Sequence, residues 1–200
     1  MISLVVATQN LGKLKEMQHH LSGLPWDLQL MPSGLEVEET GETFFENACL
    51  KASQVAKQLG QWAIADDSGL SVLALNGAPG VYSARYGKDD ADRISRLLNE
   101  LGDTANRAAQ FVCAIAIANP EGEIICHAEG ICPGEILAAP QGEGGFGYDP
   151  VFYVPEAGLS FAEMSKDQKR EVSHRGRAIA LLIPQLERLG FTTIRNNTPA

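Results

Sequence analysis

The chain has 200 residues, with 16 basic against 25 acidic side chains and a net charge of −9. That length suits one domain spanning 1–200, able to bury roughly 70% of its unfolded surface without disulfide or metal staples. The acidic balance repels a general polyanion such as duplex nucleic acid, and the longest apolar runs fall far short of the roughly 20 residues that cross a bilayer. No basic segment precedes an apolar one at the N-terminus, so the expected location is cytoplasmic, with neither nucleic acid nor membrane as partner. Cys49, Cys113, Cys126 and Cys132 have no CxxC spacing and read as reduced thiols, mostly in the core. Cys126-His127 with Cys132 lacks the paired spacing of a zinc site.

Ile2 to Ala7 is an apolar, β-branched run that reads as a buried opening strand. Thr8-Gln9-Asn10 breaks it, and Leu11, Leu14, Met17 and Leu21 then recur at helical spacing, with Asn10 as N-cap. A strand, a polar turn and a helix start present free backbone N–H groups, a positive dipole end, Lys13 and Lys15, which together look like a phosphate seat. The glycine spacing of a Walker A loop is absent, and a strand-to-helix turn with a lysine is common by itself. Trp26 to Met31 reads as a second strand, and Glu36-Val37-Glu38-Glu39-Thr40-Gly41 as an acidic surface loop. Thr43 and Glu46 form a capping box ahead of an apolar stripe of Phe45, Ala48, Cys49, Ala52, Ala56 and Leu59 that ends at Gly60.

Trp62 to Ala65 reads as a short strand that delivers Asp66 and Asp67 to its end, with Ser68 and Gly69 turning the chain before a further apolar stretch, Leu70 to Leu75. Two adjacent acids raise each other's pKa unless a cation neutralises them, and the hard cation that suits oxygen ligands and phosphates is Mg²⁺. An ordinary Asx-turn explains the same residues, and on this fragment both readings stand. Gly77 to Gly87 is too long and too rich in Gly and Pro for a plain connection. Asp89 caps a helix bearing Ile94, Leu97, Leu98 and Leu101. Ala108 to Ala118 and Glu123 to Ala128 form a hairpin over Asn119-Pro120-Glu121-Gly122.

Gly142, Gly144 and Gly147 spell G-x-G-x-x-G, but no strand precedes them and Tyr-Asp-Pro follows where a helix should start. The stretch reads instead as a corner where glycines let the backbone approach a flat ligand, with Phe146 as a stacking surface and Asp149 as an acceptor, or as a tight structural corner with Phe146 in the core. Val151 to Val154 is a short strand. Ser160 with Glu163 and Ser165 with Gln168 are capping signals, and Ser173-His174-Arg175-Gly176 interrupts the chain before a last helix that Pro184 should kink. Residues 196–200 read as a frayed tail.

Seven segments, Thr8-x-Asn10-x-x-Lys13, Glu38 to Gly41, Phe45 to Ala48, Ala65 to Leu70, Gly80 to Arg85, Gly144 to Pro150 and Ser173 to Gly176, together resemble one family in order from Leu4 to about Leu189. It is the inosine/xanthosine triphosphate pyrophosphatases. The resemblance implies a mixed α/β fold, with a long curved mixed sheet and flanking helices forming two lobes around a nucleotide cleft, and a homodimer. It also implies Mg²⁺-dependent hydrolysis of ITP, dITP and XTP to the monophosphate and pyrophosphate, clearing deaminated purines from the nucleotide pool. By position, Asp67 matches the general base and a metal ligand, and Glu38 a further metal ligand. Thr8, Gln9, Asn10, Leu11, Gly12 and Lys13 match the triphosphate segment, joined by Ser68. Phe146, Gly147, Tyr148, Asp149, Lys169, His174 and Arg175 match the base and nucleotide contacts, and Lys51, Asp66 and Glu39 lie near the chemistry.

The residue chemistry runs the same way. Attack on phosphorus needs a cation to spread developing charge and a carboxylate to orient or deprotonate water. Lys169 and Arg175 are donor-only groups that match the 6-oxygen of hypoxanthine and xanthine and leave the amino group of adenine unpaired. Two rivals are a pyrophosphatase for other nucleotides and a nucleotide sensor without catalysis.

Overall fold

The computed structural model describes residues 2–22 and 24–191; the expected frayed tail at 196–200 lies outside them. β1 (Ile2–Val6) is the apolar opening run. α1 (Leu11–His20) begins where Asn10 is extended and its side-chain carbonyl accepts the Gly12 and Lys13 N–H groups. β2 (Trp26–Leu30) then lies parallel to β1. α2 (Phe44–Leu59) is opened by the Thr43–Glu46 capping box and closed by Gly60 in the left-handed region. β3 (Ala63–Val72) returns parallel to β1 on its other side.

After α3 (Asp90–Leu101), capped by Asp89, the chain switches to antiparallel pairing. β4 (Ala108–Ala118) and β5 (Ile124–Ile136) form the expected hairpin, its turn closed by the Gly122 N–H donating to the Asn119 carbonyl at 2.8 Å. β6 (Phe152–Val154) and β7 (Leu159–Ser160) complete one seven-stranded mixed sheet in the order β2-β1-β3-β4-β5-β6-β7. α4 (Lys166–Val172) and α5 (His174–Arg188) finish the chain. No helix among the described residues is long and apolar enough to cross a membrane.

The two sheet faces are covered differently. Leu4, Val6, Ile64, Ile115 and Ile117 pack under Met17 of α1 and Ile179, Leu182 and Leu186 of α5. On the opposite face Ala63, Ala65, Ala114 and Ala116 lie under Ala48, Ala52, Val55 and Ala56, small residues that let α2 sit close. Farther along, Leu70, Phe111, Phe152 and Phe161 join Ile94 and Leu97 of α3 in a third core.

Several local expectations change. β3 does not end at the acids. All ten of its residues pair with β4, with Asp66 opposite Ile115 and Asp67 opposite Ala114, so the expected turn is the middle of a strand. The inward stripe of α2 is rotated: Asn47, Lys51 and Val55 are buried while Phe45 is exposed, because the sheet beneath carries a carboxylate that the polar pair meets. β5 runs on past Ala128 to Ile136 because β4 is long enough to pair with it throughout. Ser160 and Glu163 exchange backbone-to-side-chain bonds at 2.8 and 3.2 Å without starting a helix, since Ser160 is held in β7 and the Ala162 carbonyl accepts from Gly144. Ser173 alone is the break, and His174-Arg175-Gly176 is the first turn of α5.

β5 passes beneath α5 at Gly130, where a Cβ would run into the backbone of His174 and Ala178. Gly130→Ala is therefore expected to destabilise by about 1–3 kcal/mol through overpacking. At roughly 2–4 °C per kcal/mol this is visible in a thermal melt. Glu129→Ala, one residue away and exposed, should stay within about 0.5 kcal/mol of the parent protein.

Candidate active site

Side chains alternate across a strand, so β3 sends its two adjacent acids to opposite faces. Asp66 meets Arg175 of α5 at 2.7 Å and Lys13 of α1 at 3.3 Å. Asp67 meets Lys51 of α2 at 3.0 Å and the Asn47 amide at 3.3 Å. Burial opposes the Asp66 charge, but Lys13 and Arg175 override it and hold the carboxyl far below the usual range. For Asp67 burial wins over Lys51 and Lys13, and the pKa is raised. The two neighbouring acids are thus pushed in opposite directions by their surroundings.

Lys51 also reaches Glu39 at 2.7 Å, and Arg85 reaches the same carboxylate at 2.6 Å. Glu38 is exposed and makes no ion pair among the described residues. It faces a cavity of about 570 Å³ whose walls include Thr8, Gln9, Lys13, Glu39 and Lys51. No group of three or more His, Cys, Asp or Glu is gathered for a metal among the described residues. The donors at hand are separate carboxylate oxygens, which suits Mg²⁺, an ion held through one or two carboxylates with water and phosphate completing its shell.

The base-contact candidates come from the glycine corner and from α4 and α5. Lys169 is clamped between Asp149 at 2.6 Å and Glu16 at 2.8 Å, and its ammonium lies 5.1 Å from the Phe146 ring centre. Glu16 also pairs with Arg175, whose other contacts are Asp66 and the Ser68 hydroxyl at 3.1 Å. His174 stacks on Phe111 at 4.7 Å and 13°, and burial pushes its pKa well down, so the ring is neutral. Tyr148 is buried, donating its hydroxyl to the Ser83 carbonyl at 2.9 Å.

One cavity of about 330 Å³ brings together Asn10, Lys13, Glu39, Asp67, Ser68, Phe146, Gly147, Tyr148, Asp149, Lys169, His174 and Arg175. Asp66 supports this cavity from the buried ion pairs beside it, leaving its Oδ1 without a partner among the described residues. Thr8, Gln9, Glu38 and Lys51 belong to the adjoining cavity. Leu11 is exposed and lines neither, and Gly12 packs behind the Phe146 ring. The expected seat of free N–H groups is also narrower, because the Asn10 side chain already occupies those of Gly12 and Lys13 at 2.8 and 3.3 Å.

The model of the Ham1 family matches residues 4–185. The chain belongs to the Ham1 family. A dITP/XTP pyrophosphatase of a Nostoc species is similar at 67% identity over 183 residues, covering 92% of this chain and 93% of that protein. One from a Synechocystis species is 58% identical over 191 residues, covering 96% and 98%. The solved structure of a HAM1 protein from Coxiella burnetii superposes with a TM-score of 0.85 at 43% identity, over 94% of this chain and 100% of that one. The mixed α/β architecture is thus that of Ham1 proteins.

Sequence reading passed over several members of this Ham1 site. Glu16 lies one turn beyond Lys13, where only the apolar stripe of α1 was followed. Asn47 and Arg85 sit inside recognised segments without a role, and Asp90 and Arg93 lie on a helix whose sequence signal is its Asp89 cap and its apolar face. His20 is a further buried group beside this network. Burial and the Arg175 charge push its pKa from 6.5 down to about 4. Between those values the unfolded chain binds a proton that the folded chain refuses, so the His20 contribution to stability is complete above pH 6.5 and is lost as pH falls toward 4. His20→Gln should flatten the dependence of thermal midpoint on pH across that window, and an unchanged slope would reject the assignment.

Proposed function

We propose that this chain hydrolyses deaminated purine nucleoside triphosphates, ITP, dITP and XTP, to the monophosphate and pyrophosphate. The observation that carries the reading is the single cavity in which Asp67, Ser68 and Lys13 share walls with Phe146, Asp149 and Lys169. The relatives named dITP/XTP pyrophosphatases, similar along nearly the whole chain, support it.

In this reading the phosphates lie toward Lys13 and Ser68, and the base lies on Phe146. Asp67 takes the proton from the attacking water, a task favoured by the burial that raises its pKa. Lys51, 3.0 Å away, fixes the carboxylate's orientation and adds positive charge. Asp67 and Glu38, which makes no ion pair among the described residues, would hold Mg²⁺, which when bound neutralises charge developing on the phosphates. Glu39, already shared by Lys51 and Arg85, instead keeps Lys51 in place. Lys169 donates to the 6-oxygen and Asp149 accepts from N1–H, whereas adenine offers an amino group and a bare nitrogen at those positions. Guanine shares both of these groups and differs from the accepted bases only at its 2-position, an amino donor where xanthine carries an acceptor oxygen and hypoxanthine a hydrogen.

Incubation with Mg²⁺ and a triphosphate panel should release pyrophosphate from ITP, dITP or XTP well above ATP and GTP; equal turnover of all purines would sink the specificity. Chelation should stop the release and added Mg²⁺ restore it. Asp67→Asn is expected to cut turnover by roughly 10²–10⁴-fold while the protein melts as a folded domain, and normal turnover in that variant would remove Asp67 from its role.

A further inference from the structure

The two peptide groups flanking the Phe146 Cα are each held by a carboxylate. On one side the Phe146 N–H donates to Asp149 at 2.9 Å. On the other the Gly147 N–H donates to Oδ2 of Asp90, in the first turn of α3, at 2.7 Å. Fixing both peptide planes fixes φ and ψ at Phe146 and therefore the direction in which its ring leaves the backbone. The ring rests against Gly12, where a Cβ would come within 3.3 Å of it.

The two anchors differ in kind. Asp149 is buried and tied to Lys169, so it belongs to the base end of the cavity already described. Asp90 comes from across the same cavity, with its side chain 48% exposed, and its other oxygen pairs with Arg93 at 2.5 Å. Arg93 also lines the cavity, and its Nε is buried with no hydrogen-bond partner among the described residues, so Asp90 is the group that fixes this guanidinium. The geometry points to Asp90 as a positioning residue: through the Gly147 N–H it sets the aromatic shelf that meets the base, and Arg93 holds the carboxylate in register. A shelf held on both sides is pre-organised, so less ordering is left for the ligand to impose. This inference rests on the reading of Phe146 as the base shelf.

The test compares a ligand that carries the base with one that does not. Asp90→Ala should weaken calorimetric binding of inosine monophosphate about tenfold and leave inorganic pyrophosphate within twofold. The KM for ITP should rise about tenfold with kcat within twofold. Asp90→Asn keeps an acceptor oxygen for Gly147 and should recover inosine monophosphate binding to within threefold of the parent. Unchanged inosine monophosphate binding in Asp90→Ala, or an equal loss of both ligands, overturns the proposal. If Asp90→Ala does not fold, Arg93→Gln carries the test: about threefold weaker inosine monophosphate with unchanged pyrophosphate supports it, and no change overturns it. A parent protein that binds inosine monophosphate but releases no pyrophosphate from ITP would refute the proposed reaction alone, leaving the Asp90 comparison intact.

Discussion

The site depends on β3 keeping its pleat through two adjacent carboxylates. In a turn, Asp66 and Asp67 would crowd one another and compete for one cation. In a strand paired along its whole length with β4, they leave by opposite faces and each finds its own partner. The separation also lets their pKa values diverge. Asp66 is locked as an anion by Lys13 and Arg175, and Asp67 is raised by burial that its cations do not fully offset. One sheet thus supplies an immobile charge and a carboxyl of raised pKa from consecutive residues.

The charges on the Asp66 face form a connected chain: Lys13 to Asp66, Asp66 to Arg175, Arg175 to Glu16, Glu16 to Lys169, and Lys169 to Asp149. Arg175 and Asp66 are almost wholly buried, and breaking a buried pair by removing one member typically costs about 3–5 kcal/mol because the other is left uncompensated. Such a chain contributes little net stability against an apolar core of equal volume. What it contributes is position. Arg175 is tied to Ser68 and Asp66 of β3 and, through Glu16, to Lys169 of α4, so the two ends of the cavity share one rigid set of contacts.

The helices are placed by the same logic. α2 turns Asn47 and Lys51 inward against its own apolar periodicity because Asp67 waits on that face. α5 begins directly at Ser173, and Gly130 of β5 lets its first turn come close enough to the sheet for Arg175 to reach β3. Small residues under α2 and a glycine under α5 have the same effect: the backbone comes close, and long charged side chains then reach the acids of β3 on the two faces of the sheet.

Short-range signals were legible in the chain itself. The caps at Asn10, Thr43, Asp89 and Ser165, the stop at Gly60, the β4–β5 hairpin and the glycine corner all depend on residues within a few positions of each other, and they appear where local chemistry placed them. The ordered segments also identified the family. Tertiary structure alone decided which way the polar residues face and whom they meet. Periodicity tells burial for apolar side chains but says nothing of a lysine or asparagine drawn inward by a buried acid. Arg175 and Asp66 are 109 positions apart, and Arg175 and Glu16 are 159 apart. Such pairs exist only once the sheet has brought its strands and helices together, and for that reason Glu16 and Asp90 carry no mark in the sequence.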